Sequence, residues 1–388
     1  MLYLLLRAIE NWLVEREVYG LFRVLDQLEF RALAAAGLSF TIVVALGPRV
    51  IHWLKMKKIG DTGLSDAQAL RQHMNSKQAT PTMGGVLIVG AMAGAVLLLA
   101  DVGQFYVQAA LIVMVCFAAL GAVDDWLKLT AASRGSGGRQ GLYAWEKLVF
   151  QIGLAGLVGY FAFHQAEGAQ NLAHVLNLPL QKTYESAGGA PAPGLVYLGA
   201  GAYVAVMTLM VAGMSNAVNI TDGMDGLAAG ISGTVAVGLL LLTLIAGSDK
   251  WAQYLLVPHV PVADELSVVA GAMVGACLGF LWWNCSPAQV FMGDTGALAL
   301  GAVIGYSAVI VRQEVVVLLM CGVFLAEIGS VVLQVGCFKL TGGTRIFRVA
   351  PIHHHFHLGG WTEQQVVARA WIVTILLVIV GLASIKVR

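Results

Sequence analysis

The chain has little charge. Only 12% of its 388 residues are Asp, Glu, Lys or Arg, about half the fraction of a soluble globular domain. The 23 basic residues nearly cancel the 22 acidic ones, leaving a formal net charge of +1. No basic field exists to gather nucleic acid, so that class of partner is disfavoured. Cysteine is scarce as well. Cys116, Cys277, Cys285, Cys321 and Cys337 are odd in number, lie in or beside apolar runs and show no metal-binding spacing, so they read as small buried hydrophobes. There is no convincing internal repeat, and the longest loops, about 30 residues, leave no room for a soluble domain. The opening MLYLLLRAIENWLVEREVYG lacks the small-residue cleavage site of a signal peptide. Residues 1–32 read instead as an amphipathic lead-in lying at a membrane interface.

What is abundant points one way. Hydrophobic residues make up 58% of the chain and glycines number 46. The apolar residues come in blocks near the 20-residue length that crosses a bilayer, and glycine suits helices that pack closely in lipid. The expectation is an all-α integral membrane protein, one polytopic domain over 1–388 with about ten transmembrane helices. Their approximate limits are 33–54, 84–101, 107–123, 147–164, 195–213, 227–246, 266–283, 297–311, 315–337 and 366–384, the eighth being short. Loops after odd-numbered spans carry thirteen Lys and Arg; loops after even-numbered spans carry only Lys182, Lys250 and Arg312. The positive-inside rule makes the odd loops cytoplasmic, both termini periplasmic and 165–195 a periplasmic loop.

The polar chemistry sorts the same way. GAVDDWLKL, SNAVNITDGMDGL, NCSPAQVFMGDTG and PIHHHFHLGGW all fall in odd loops, and SKQATPTMGG closes the first of them. Asp124 and Asp125 end the third span, where two carboxylates oppose the helix dipole and ask for a cationic partner. Lys128, one turn on, is one choice and a divalent metal another. Asp222 and Asp225 share one face if a helix begins near Asp222, with Asn216 and Asn219 alongside; a plain N-cap accounts for only one of the two. Asp294 in FMGDTG is again a cap or a ligand. Three acidic clusters at one membrane face favour a hard cation, Mg²⁺ rather than zinc. His353, His354, His355 and His357 lack zinc-site spacing and, with Lys77, Lys128, Arg345 and Arg348 on the same face, suit phosphate, with metal ligation and a structural role as the alternatives. Glu327 is the one acid deep in a span, a functional candidate or a polar anchor between helices.

Together DDWLK, NAVNITDGMDGL, FMGDTG and HHHFH resemble the polyprenyl-phosphate N-acetylhexosamine-1-phosphate transferases, over essentially every span and cytoplasmic loop. PTMGG and HHHFHLGGW resemble most closely the bacterial branch that moves phospho-N-acetylmuramoyl-pentapeptide. The resemblance implies transfer of that group from its UDP-activated form to undecaprenyl phosphate, giving lipid I and UMP with Mg²⁺, in a homodimer of the bacterial inner membrane with its active site on the cytoplasmic face. It implies Asp294 as first metal ligand with Asp124 and Asp125 close by, and Asp124 as a base or nucleophile. It places Lys77, Asp225 and Phe291 at the uridine, Phe291 stacking on the base. Asn216, Asp222 and Asn284 line the same cleft, and Lys128 with His353, His354 and His355 hold phosphates or sugar. Two rivals remain: a sister enzyme that moves N-acetylglucosamine-1-phosphate, against which the HHHFHLGGW loop speaks, and a transporter, which would want more than Glu327 at mid-membrane.

Overall fold

The computed structural model describes residues 2–386 except 57–79, 132–140, 167, 169–170, 179–180 and 186–188. Its helices run, in order, α1 Leu2–Ala8, α2 Glu10–Glu15, α3 Leu28–Met56, α4 Gly85–Leu99, α5 Phe105–Ala131, α6 Ala144–Gln165, α7 Ala200–Thr221, α8 Leu227–Gly247, α9 Asp249–Leu255, α10 Leu266–Asn284, α11 Gly293–Ile310, α12 Glu314–Met320, α13 Gly322–Leu340, α14 Ile352–Leu358 and α15 Glu363–Ser384. Among the described residues there is no strand, only isolated bridges at Val175–Tyr197 and Tyr184–Pro191. Among the described residues nine helices are long and apolar enough to cross a membrane, so the chain is an all-helical, multi-pass membrane protein.

Two expected spans look different in three dimensions. The second is α4, an apolar helix of only 15 residues. The ninth is broken: α12 ends at Met320, Cys321 leaves helical geometry, and α13 restarts at Gly322. A side chain at Gly322 would come within 2.8 Å of Leu377, so α15 presses on the break itself.

The helix at the centre is α11, in which every residue after Gly293 is buried. A helix apolar all round belongs in the interior, and glycine sets how closely its neighbours come. A Cβ on Gly301 or Gly305 would lie 2.3 Å from a carbonyl oxygen of α7, that of Met214 or Met210. On α10, a Cβ at Gly275 would lie only 1.8 Å from the Ala36 carbonyl of α3. With apolar lipid on one side and apolar side chains on the other, such backbone-to-backbone packing supplies much of the helix association.

Apart from Glu327 in α13, buried charge is kept to the two ends of the bundle. At one, Arg31 of α3 makes a two-pronged pair with Glu265, at 2.5 and 3.0 Å, while donating to the Leu99 carbonyl and lying 4.0 Å from the Tyr3 ring. The backbone N–H of Asp101 donates to the same Glu265. Nearby on the chain's same side, Arg312 pairs with Glu314 at 2.7 Å and donates to the Val175 carbonyl. Both pairs are buried, and the further hydrogen bonds to Arg31 and Glu265 meet the condition under which such a pair is tolerated. At the other end lie the motifs.

Candidate active site

One face of α5 organises the site. Gly121, Asp124, Asp125 and Lys128 fall at spacings of three and four, which puts them in one row along the helix. Gly121 lets α5 lie against the start of α11: a Cβ there would be 2.3 Å from the Asp294 carbonyl oxygen. One turn on, Asp125 turns both oxygens to that helix start. Its Oδ1 accepts from the Asp294 N–H at 3.1 Å, and its Oδ2 accepts from the Thr295 N–H and hydroxyl at 3.0 and 2.7 Å. Asp125 thus caps α11, where free N–H groups and the positive end of the dipole favour a carboxylate.

Asp124 and Asp294 meet through two lysines. Lys128 Nζ lies 2.7 Å from Asp124 Oδ2 and 3.1 Å from Asp294 Oδ2. Lys147 Nζ bridges the same two oxygens at 2.6 and 2.7 Å. The second oxygen of each carboxylate is also engaged: Asp124 Oδ1 by the Leu142 N–H at 2.6 Å, Asp294 Oδ1 by Asn219 Nδ2 at 2.8 Å. Asp124 has no exposure at all, and its Oδ2, despite two ammonium neighbours, has no hydrogen bond of good geometry among the described residues. Lys147 was not among the residues expected here. Its sequence signal is an ammonium in the first turn of an apolar helix, where the dipole opposes it.

The segment Pro81–Gly85 is zipped to Phe291–Met292. The Phe291 N–H donates to the Pro81 carbonyl, Gly84 N–H to the Phe291 carbonyl and Gly85 N–H to the Met292 carbonyl, each at 2.8 Å. Gly293 follows at φ +72°, with Asp125 Oδ2 and Thr82 Oγ1 where a side chain would stand. Phe291 is thereby held at the site by its backbone. Lys77 lies outside the described residues.

NITDGMDGL folds otherwise than expected. α7 runs to Thr221 and α8 starts at Leu227, so Asp222 to Gly226 form a turn between helices, not the first turn of one. Gly226 adopts φ +79°, which ends any helix there. The two carboxylates point to different partners: Asp222 Oδ2 accepts from the Gly293 N–H at 3.2 Å, Asp225 Oδ2 from the Ala288 N–H at 3.1 Å. Asn284 accepts from the Gly226 N–H and donates to the Val290 carbonyl. From α15, Glu363 accepts from the Asp225 N–H and Trp371 donates to the Gly226 carbonyl. Asn216, on the same face of α7 as Asn219, donates to Gln151 of α6 at 2.6 Å. Burial, then the nearby charges of Asp294 and Asp125, push the Asp222 carboxyl up to about 7. A bound cation would reverse that push by favouring the ionised form.

The histidines are divided. His353 is 1% exposed and its Nδ1 lies 2.9 Å from Glu327 Oε2. A Cβ on Gly223 would lie 2.5 Å from His353 Nε2, so this ring borders the Asp222–Gly223 turn. His354 packs on His353 with ring centres 4.2 Å apart. His355 accepts from the Arg348 N–H.

Many helix ends and their loops thus converge on one end of the bundle. Residues 107–312 match the family described as glycosyl transferase family 4. That span is more than half of the chain. The chain belongs to glycosyl transferase family 4. Residues 77–89, which take in the Pro81–Gly85 zipper, match signature 1 of the phospho-N-acetylmuramoyl-pentapeptide transferases. The reaction of this family 4 member is transfer of phospho-N-acetylmuramoyl-pentapeptide to undecaprenyl phosphate. Its substrates are a nucleotide-sugar-peptide and a polyprenyl phosphate in a membrane.

Proteins with this signature depend on a divalent metal. Among the described residues no three His, Cys, Asp or Glu side chains stand together in ligating positions. The donors nonetheless suit a hard cation. Asp124 and Asp294 offer hard carboxylate oxygens, now shared with two ammonium groups, and among the described residues Asp124 Oδ2 lacks a well-formed hydrogen bond.

Proposed function

We propose that the Asp124–Lys128–Lys147–Asp294 cluster is the centre at which the lipid phosphate attacks the nucleotide sugar. The enzyme acts as a single domain of 388 residues on the cytoplasmic face of a bacterial inner membrane, with both termini periplasmic and, as in the family it resembles, as a homodimer. The observation that carries the reading is the shared pair of oxygens, Asp124 Oδ2 and Asp294 Oδ2, each within 3.1 Å of both lysine ammonium groups.

An oxygen of undecaprenyl phosphate forms a bond to the β-phosphorus of UDP-N-acetylmuramoyl-pentapeptide. The bond from that phosphorus to the bridging oxygen breaks, and its electron pair leaves with UMP. The second pKa of a phosphate monoester is near 6, so the attacking phosphate is already mostly ionised at neutral pH. Asp124, which lies against two ammonium groups, need not act as a base. Positioning and charge stabilisation dominate such a transfer. Lys128 and Lys147 are the cations that can move from carboxylate to diphosphate oxygens. Asp294 and Asp124 would hold Mg²⁺, which supplies neutralisation of the diphosphate and of the departing UMP. Asp125 keeps α11, and with it Asp294, in place. Asp225, Phe291 and Lys77 take the uridine; Asn216, Asp222 and Asn284 shape the cleft; His353, His354 and His355 take phosphate or sugar.

The direct test mixes purified protein with UDP-N-acetylmuramoyl-pentapeptide, undecaprenyl phosphate and Mg²⁺ and weighs the lipid product. Lipid I and UMP are expected, and EDTA should stop both. Product from UDP-N-acetylglucosamine instead would assign the sister reaction, and full activity in metal-free buffer would remove Mg²⁺ from the account.

The membrane orientation has its own test. In a background lacking the five native cysteines, a cysteine at Ala190 should react with an impermeant thiol reagent applied to intact cells, and one at Thr344 should not. Both positions are exposed. The opposite pattern would put the site on the wrong side for a cytoplasmic nucleotide.

A further inference from the structure

Glu327 has a place in this site that its position in the sequence does not suggest. It lies in α13, two turns from the break at Cys321, and is 3% exposed. A carboxylate so deep in a spanning helix is costly and usually faces a partner. Its partner is His353 at the start of α14: Glu327 Oε2 is 2.9 Å from the ring Nδ1 and 3.4 Å from the backbone N–H of the same residue. One carboxylate oxygen thus receives both the ring and the main chain of a single histidine. That fixes the ring's orientation and leaves only Nε2 for other use.

That second nitrogen is buried and, among the described residues, has no hydrogen-bond partner. Buried polar atoms are nearly always paired, and an exception calls for a missing partner. The neighbour of Nε2 is Gly223, an exposed residue whose missing side chain leaves the ring room. Asp222, adjacent, is bonded to the Gly293 N–H, and Gly293 precedes Asp294. The unpaired nitrogen therefore stands at the rim of the turn that leads to the lysine–aspartate cluster. An imidazolium donates at both nitrogens, and a carboxylate is the counter-ion such a ring needs away from water.

We propose that Glu327 is a positioning residue for the transfer reaction: it holds His353 so that Nε2 meets a diphosphate oxygen of the nucleotide sugar beside the Asp222–Gly223 turn. This rests on the reading of His353 as a phosphate contact and adds the residue through which that contact is made. Glu327 touches neither substrate nor metal; its effect passes through the ring. Charge on the diphosphate grows as UMP departs, so the contact strengthens in the transition state and its loss falls on kcat more than on KM.

The test is a mutant cycle on the full-length enzyme in detergent, with kcat and KM for the UDP-sugar measured at saturating lipid phosphate. Glu327→Gln keeps the size and removes the charge. A hydrogen bond to a charged group changes rate by roughly 10- to 150-fold; a kcat loss in that range is expected, with KM within about threefold of wild type. Glu327→Asp, which keeps the charge on a shorter arm, should recover part of the loss. The double variant Glu327→Gln with His353→Gln should be no slower than His353→Gln alone, because both remove one contact. If Glu327→Gln does not fold, as judged by its melting temperature, Glu327→Asp paired with His353→Gln serves the same cycle. Wild-type kcat in the Glu327 variants, with His353→Gln impaired, would overturn the positioning role while sparing the reading of His353. Losses that multiply in the double variant would equally overturn it. Wild-type kcat in His353→Gln would remove the phosphate contact itself, and the inference with it.

Discussion

Asp294→Asn should cost at least ~10²-fold in kcat, the scale of losing one preorganised charge-stabilising group at a transition state, with only a small change in KM for the UDP-sugar. The side chain keeps its size and can still accept from Asn219, so the start of α11 should hold. Asp125 caps that helix through the backbone N–H of residue 294, which the substitution leaves intact. What is lost is the negative charge that two lysines share with Asp124. Asp225→Asn makes the informative contrast. Asp225 is pinned to Ala288 N–H, 63 residues away, in the turn assigned to the nucleotide. Its replacement should raise KM by roughly 10- to 150-fold, the cost of weakening a hydrogen bond to a charged group, and leave kcat nearly unchanged. Steady-state constants for the two variants separate the roles. An Asp294→Asn enzyme with normal kcat would take the cluster out of the chemistry. An unchanged KM in Asp225→Asn would reduce its turn to a helix connector.

The membrane architecture was legible because it depends on a one-dimensional quantity. Apolar block length is a property of the chain alone, and among the described residues nine of the blocks are helices long enough to span. The aspartates of DDWLK and FMGDTG were legible as a set because charge is so rare elsewhere. What could not be read is which oxygen goes to which partner. Asp124 and Asp125 are adjacent in sequence, yet one faces two lysines and the other caps a helix 169 residues away. That division is set by the 100° turn between successive helical residues and by where α11 lies, which no local pattern encodes. The same holds for Asp222 and Asp225: a three-residue spacing suits a helix face, but Gly226 at φ +79° ends the helical geometry and sends the two carboxylates to different loops. Glu327 was conspicuous for its depth; its partner in the HHHFH run was not, since the pairing crosses 26 residues and a loop.

Lys147 gives the sharpest test of how the cluster is balanced, because the structure alone brings it in. Its side chain is 16% exposed against 47% for Lys128, so it is the less screened of the two cations. Lys147→Met keeps most of the apolar stem and removes the ammonium, leaving two buried carboxylates to one lysine. Two effects of opposite sense should follow. A cation that steadies the diphosphate is gone, so kcat at saturating Mg²⁺ should fall by about 10²-fold, again the scale for one preorganised charge at a transition state. The ammonium also competes with any metal for Asp124 Oδ2 and Asp294 Oδ2, so the Mg²⁺ concentration that gives half-maximal rate should drop rather than rise. Lys147→Arg should not restore full rate, since a planar guanidinium cannot place one compact charge between two oxygens as an ammonium does. A melting curve near that of wild type would keep the comparison about chemistry rather than folding. A Lys147→Met enzyme with wild-type kcat would show that Lys128 alone serves the phosphates. A rise in the Mg²⁺ requirement would mean that Lys147 organises the carboxylates for the metal instead of competing with it.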